Sequence, residues 1–223
     1  MVSKEAKPYV MIGCIVVLVL SIYSIGRGCR GPTAFSREQL DRLETNAEFS
    51  AQETADFLGD RTDVMLVYLD VPGSVGLIEV KDAFINVLTA NGKNIIGEEV
   101  FRPVEAGQFF NPIGWAYLLE DFADMVSRHP PADVIVTLAG TPVFDPDAID
   151  DLPDSFPPIV AGFFLRVPGD VGAWFDSGRL EMAIMRSSSQ GEAEPTTPRE
   201  KYDRIFKTFT ADSTEPLPMP MMM

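Results

Sequence analysis

The chain has 223 residues, a formal charge of −15 and one histidine. Its 33 Asp and Glu against 18 Lys and Arg would repel phosphate backbones and anionic lipid heads, so no nucleic-acid partner is expected. Two cysteines rule out a disulfide framework, and one histidine with two cysteines nearly excludes a His/Cys zinc site, so a folded domain here depends on its apolar core.

The first element in chain order is PYVMIGCIVVLVLSIYSIG, the uncharged run of 19 residues from Pro8 to Gly26. As a helix at about 1.5 Å per residue it spans roughly 28 Å, close to the hydrocarbon thickness of a bilayer. Tyr9 and Tyr23 sit near its two ends, where aromatic rings lie at headgroup level. A cleavable signal has a shorter apolar core and a small-x-small exit, whereas here Arg27 follows the run. The reading is therefore a retained anchor, with the lipid bilayer as a partner through residues 8–26. Met11-Ile12-Gly13-Cys14 has the look of an acylation site, but few apolar residues precede Cys14. Arg27, Arg30, Arg37 and Arg42 after the run outnumber Lys4 and Lys7 before it, which by count favours a cytoplasmic C-terminal side. Single N-terminal anchors usually leave the following domain outside, and that periplasmic placement is the expectation adopted. Residues 1–25 contribute Lys4, Lys7 and Glu5, a net +1, so the remainder carries −16.

Residues 28–59 read as a linker with Cys29 and two short helices. Ser36-Arg-Glu-Gln39 is a capping box, in which the serine hydroxyl takes the third amide and the glutamine reaches back. Ser50-Ala-Gln-Glu53 repeats the pattern, predicting helices over about 36–46 and 50–58.

Residues 60–186 carry the alternation that sets the fold class. VMLVYL (64–69) is an apolar β-rich run, expected as a strand buried on both faces. A helix over 77–90 should end at Asn91-Gly92. A strand over 94–100, a helix over 113–128, and strands at 134–139, 159–165 and 182–185 follow, with a short helix or turn at 170–178. Strand–helix alternation implies right-handed crossovers and a three-layer α/β domain with a mainly parallel sheet of about five strands. Residues 187–223 read as loop, a short amphipathic helix over 199–210, and a PLPMPMMM tail expected to be disordered.

Asp133-Val-Ile-Val-Thr-Leu-Ala-Gly140, Pro157-Pro-Ile-Val-Ala-Gly162 and Ser177-Gly-Arg-Leu-Glu-Met-Ala183, in that order, resemble a lobe of the type I periplasmic sugar-binding proteins. The match lies in a buried strand, a strand after two prolines, and a Ser-Gly turn into a strand. The resemblance implies a Rossmann-like sheet and ligand capture. That family closes two lobes on its ligand, and residues 60–186 have length for one.

Ligands of parallel α/β sheets meet the loops at the carboxyl ends of strands. The candidate ligand-binding residues are therefore Asp70, Gly73, Ser74 and Gly76 in the first such loop, Phe109 and Phe110 in the second, Gly140 and Thr141 in the third, and Arg166 in the fourth. Glycines at 73 and 76 would let backbone amides approach an anion, or Ser74 simply caps a helix. No Lys-Ser/Thr pair follows, and GSVG lacks the dinucleotide fingerprint. Phe109 and Phe110 offer flat faces for a sugar ring, or pack a helix onto the sheet. The acidic run Asp145, Asp147, Asp150, Asp151, Asp154 lacks EF-hand spacing and reads as a solvated loop. His129 stands at a helix end before Pro130-Pro131 with no nucleophile-elbow motif, and no spacing of acids singles out a partner for Asp70. No cofactor, no metal and no catalytic residue is expected. The leading expectation is a membrane-tethered noncatalytic domain working through a protein partner or homo-oligomer. The alternative is a small-ligand, sugar-like binding domain.

Overall fold

The computed structural model describes residues 36–69, 75–101, 119–142, 149, 151–162, 171–186, 195–215 and 217. The chain divides into two compact units, residues 1–34 and 35–223. The first, with the expected anchor over 8–26, lies outside the described residues. No helix among the described residues is long and apolar enough to cross a membrane.

Helix α1 runs unbroken from Arg37 to Leu58. Its start is the expected capping box: Gln39 N–H donates to Ser36 Oγ at 3.2 Å, and Ser36 N–H donates to Gln39 Oε1 at 2.9 Å. The second expected cap does not form, and the two short helices are one. Ser50 instead lies mid-helix, wholly buried, with its hydroxyl 2.9 Å from the Tyr202 hydroxyl. A serine ends a helix only when its backbone turns away; here the buried partner makes the continuous helix the better arrangement.

Strand β1 (Asp63–Leu69) is followed by α2 (Val75–Ala90), β2 (Asn94–Phe101), α3 (Leu119–Ser127), β3 (Val134–Thr137) and β4 (Ile159–Ala161). Then come α4 (Val171–Asp176), β5 (Leu180–Arg186), α5 (Pro198–Ile205) and β6 (Phe206–Thr210). Helix α2 stops where Asn91-Gly92 predicts. Gly92 takes φ +77°, and Lys93 N–H reaches back to the Leu88 carbonyl at 3.0 Å, the closure that a left-handed glycine permits.

The sheet has six strands in the order β2-β1-β3-β4-β5-β6. The first five are parallel, as the alternation predicts, and β6 is antiparallel to β5. Five expected strands thus become six. Residues 206–210 leave the expected helix and pair Phe206 with Arg186 through Thr210 with Met182. A helix there would leave the β5 edge unpaired, and strand addition removes that liability.

Two cores lie on opposite faces of the sheet. One face carries Val64, Leu66, Val134, Val136 and Val160 against α1, α2 and Tyr202 of α5. The other carries Met65, Val67, Ile135, Ile159 and Ala161 against α3, α4 and the 149–156 segment. Consecutive residues of β1, β3 and β4 enter opposite cores because side chains alternate, which is why Val64–Val67, Val134–Val136 and Ile159–Ala161 are apolar without a break. α5 and β6 are fastened to α1 by polar groups: Arg199 and Thr208 both bind Glu53, and Arg199 lies over the rings of Phe49 and Tyr202.

Candidate functional site

Because β1 to β4 are parallel, the carboxyl ends of these strands lie along one edge of the sheet, and in the chain the four loops singled out in the sequence come after them. The strand order decides which of them meet. β1 continues to β2 on one side, while β3, β4 and β5 extend the sheet on the other. The strand order therefore reverses its direction at the boundary between these two neighbouring strands. That reversal is the topological switch point, where a crevice opens in this class of sheet. Val67 pairs with Thr137 there, and Leu138 N–H donates to the Val67 carbonyl at 2.8 Å.

Of the predicted residues, Gly140 and Thr141 lie on this edge, directly after β3, and both are buried. Gly76 falls in the first turn of α2. Asp70, Gly73, Ser74, Phe109, Phe110 and Arg166 lie outside the described residues.

The β3 loop has a defined geometry. Gly140 takes φ +88°, a left-handed conformation that side-chain-bearing residues rarely adopt. The Thr137 hydroxyl accepts from Ala139 N–H at 3.1 Å and donates to the Gly140 carbonyl at 2.8 Å. The Trp174 indole, 0% exposed, donates from Nε1 to the Pro142 carbonyl at 3.2 Å. Neither Thr137 nor Trp174 stands out in the sequence. A threonine inside a strand and a tryptophan on a short helix both read as core, and only the fold brings their polar atoms to the loop.

Near the same edge, the Lys81 ammonium of α2 lies 4.9 Å from the Tyr68 ring centre, with Asp82 at 3.3 Å and Glu98 at 3.4 Å. Partial burial works against its charge, but the bond to Asp82 and the attraction of Glu98 prevail, and its pKa lies above the ordinary lysine value.

The opposite edge carries an open pocket of about 460 Å³ lined by Met65, Val126, His129, Pro131, Phe156 and Pro157, among others. His129 belongs to the packing of that end. Its Nε2 lies 2.9 Å from Glu99 Oε1, and its ring seats on Gly97, where a Cβ would come within 2.5 Å of Nδ1. Among the described residues, no three His, Cys, Asp or Glu side chains converge as metal ligands.

No protein-family model matches the chain. No curated protein matches it. Solved structures similar to it include a Caulobacter myo-inositol binding protein, at 17% identity and TM-score 0.42, over 64% of this chain and 46% of that one. A carbohydrate transporter solute binding protein from Agrobacterium radiobacter, solved with D-arabinose, aligns at 13% identity and TM-score 0.41, over 73% and 50% of the two chains. A periplasmic ribose ABC transporter structure from Conexibacter woesei aligns at 18% identity and TM-score 0.39, over 64% and 44%. The chain spans about half the length of these proteins. The resemblance read from the sequence thus returns among solved structures, at low identity and over part of the chain, and it assigns no particular family.

Proposed function

We propose that this chain is a noncatalytic binding domain that takes a small polar, sugar-like ligand at the carboxyl edge of its parallel strands. The observation that carries the reading is the reversal of strand order between β1 and β3. It sets the Gly140–Thr141 loop beside the end of the strand from which Asp70 follows. Aromatic faces at Phe109 and Phe110 suit a sugar ring, and Asp70 and Arg166 suit its hydroxyls. A melting screen of the purified domain against D-arabinose, D-ribose, myo-inositol and a wider set of sugars and polyols tests it. At a hundredfold excess over Kd a ligand adds about 2.7 kcal/mol, which at about 2–4 °C per kcal/mol raises the midpoint by roughly 5–11 °C. Asp70→Ala and Phe110→Ala should erase the shift. A broad screen with no shift refutes the reading.

A second reading is favoured by the 19 uncharged residues from Pro8 to Gly26. In it the domain is held at the membrane, outside the cytoplasm, and acts through contacts with a protein partner or another copy of itself. Full-length protein should stay in the membrane pellet after alkaline carbonate and give crosslinked species above the monomer. Recovery of a free polypeptide beginning after Gly28, or of monomer alone, counts against this reading.

A further inference from the structure

We infer that Trp174 is a positioning residue for the candidate ligand face: its indole N–H and the Thr137 hydroxyl together hold the 138–142 loop in one backbone geometry before any ligand arrives. The inference rests on the carboxyl edge being the ligand site. The loop is gripped at both ends. At its start, Leu138 N–H is held by the Val67 carbonyl at 2.8 Å and Ala139 N–H by Thr137 Oγ1 at 3.1 Å. The same hydroxyl donates to the Gly140 carbonyl at 2.8 Å, so one side chain defines two consecutive peptide orientations. At its end, Trp174 Nε1 donates to the Pro142 carbonyl at 3.2 Å. Gly140, at φ +88°, supplies the bend between the two grips, and Pro142 stiffens the exit through its own fixed φ.

The choice of residue at 174 is informative. Trp174 is 0% exposed, and a phenylalanine or leucine would fill an apolar site without bringing in a donor that must be satisfied. The indole N–H is satisfied by a loop carbonyl, and α4 itself is seated in the core through Val171 and Trp174. The loop is thereby referenced to the packed core. A loop held this way is ordered during folding, so a ligand does not bear that entropic cost on binding.

The test uses the whole chain and three variants: Trp174→Phe, which keeps a ring and loses the donor; Thr137→Val, which keeps the shape and loses the hydroxyl; and Thr137→Ser, which keeps the hydroxyl. Amide hydrogen exchange without ligand is read at Ala139, Gly140 and Thr141, with Ile135 and Val136 of β3 as the internal reference. W174F and T137V should speed exchange in the loop about tenfold while the β3 amides stay as in wild type, and T137S should match wild type. Loop exchange that stays at the wild-type rate in W174F, or that rises only in step with Ile135 and Val136, overturns the inference. In the second arm, titration with D-arabinose and myo-inositol should show W174F binding about five- to tenfold more weakly than wild type, the worth of one neutral hydrogen bond, with T137S unchanged. Equal binding by W174F and wild type also overturns it. If neither sugar binds wild type, the titration uses whichever sugar or polyol shifts the melting screen; if none does, the ligand reading falls, and the exchange arm by itself decides whether Trp174 and Thr137 anchor the loop.

Discussion

Tyr202→Phe removes one oxygen from the contact between α1 and α5 and leaves the rest of that contact in place. The phenol oxygen lies 2.9 Å from Ser50 Oγ, and the two residues are 1% and 0% exposed. The ring stays against Phe49 and Phe206, with centroids 5.4 and 5.2 Å away, so the variant isolates the hydrogen bond. A neutral bond of this kind is worth about 1 kcal/mol net. The stranded Ser50 hydroxyl can turn to a carbonyl of its own helix, which keeps the loss near that figure. Ser50→Ala is the harsher change, because it leaves the buried phenol without that fallback, at about 1–3 kcal/mol. In a chain of 223 residues, Tyr202→Phe should lower the melting midpoint by about 2–4 °C. Urea melts of the two single variants and the double variant complete the cycle. The double variant should be more stable than the sum of the singles implies, with a coupling of about 1 kcal/mol. Strict additivity refutes the account. pH gives a second reading of the same atom. Burial raises the Tyr202 pKa far above its ordinary value of 10, against a smaller opposing effect of the Ser50 bond. Below pH 10 both folded and unfolded forms hold the proton and the stability is intact. Above it the unfolded chain loses its proton first, and stability falls by up to about 1.4 kcal/mol per pH unit. The margin of wild type over Tyr202→Phe should therefore hold from pH 8 to about 10 and be lost by about pH 11; a constant margin contradicts the burial.

Two further substitutions probe other parts of the fold. Asp133 Oδ2 accepts from Thr62 N–H and Asp63 N–H, each at 3.0 Å, and these bonds, that of Asp63 foremost, hold its pKa below the usual 3.8. Its stabilisation is present above that value and is lost as pH falls through the lower folded one. Asp133→Asn should thus be less stable than wild type at pH 7 and equal to it in strong acid, as followed by thermal melts; a gap that persists in acid contradicts this. Gly162→Ala would put a methyl 2.7 Å from Phe84 Cζ and 3.2 Å from Thr54 Oγ1, both on wholly buried side chains. Overpacking there should cost about 1–3 kcal/mol in a urea melt, and a neutral result would mean that α1 and α2 sit less tightly on β4 than they do here.

Much of the architecture is legible one element at a time. VMLVYL and VIV are unbroken runs of β-forming apolar and aromatic residues because both faces of each strand are covered, and that marks a parallel, sandwiched sheet. Ser36 with Gln39, and Asn91 with Gly92, mark helix ends because the chemistry of a terminus lies within a few residues of it. The same short-range logic fails at Ser50. Its tetrad is as good a cap as that of Ser36, but Tyr202 stands 152 residues away in sequence and 2.9 Å away in space. It fails again at 206–210, where a helical spacing of apolar residues gives way to the hydrogen-bonding edge of β5.

The amino-acid sequence on its own determined the charge, the uncharged run before the fold, the α/β alternation, and the set of loops at strand ends from which a site could be drawn. These are properties of composition and of windows of a dozen residues, within which backbone conformation and amphipathic pattern are decided. Only the tertiary structure settled the strand order, and with it the pairing of the β1 and β3 ends, the antiparallel sixth strand, and the grip of Thr137 and Trp174 on one loop. Those depend on which distant groups satisfy each other's hydrogen bonds once water is excluded, and no local pattern encodes that choice.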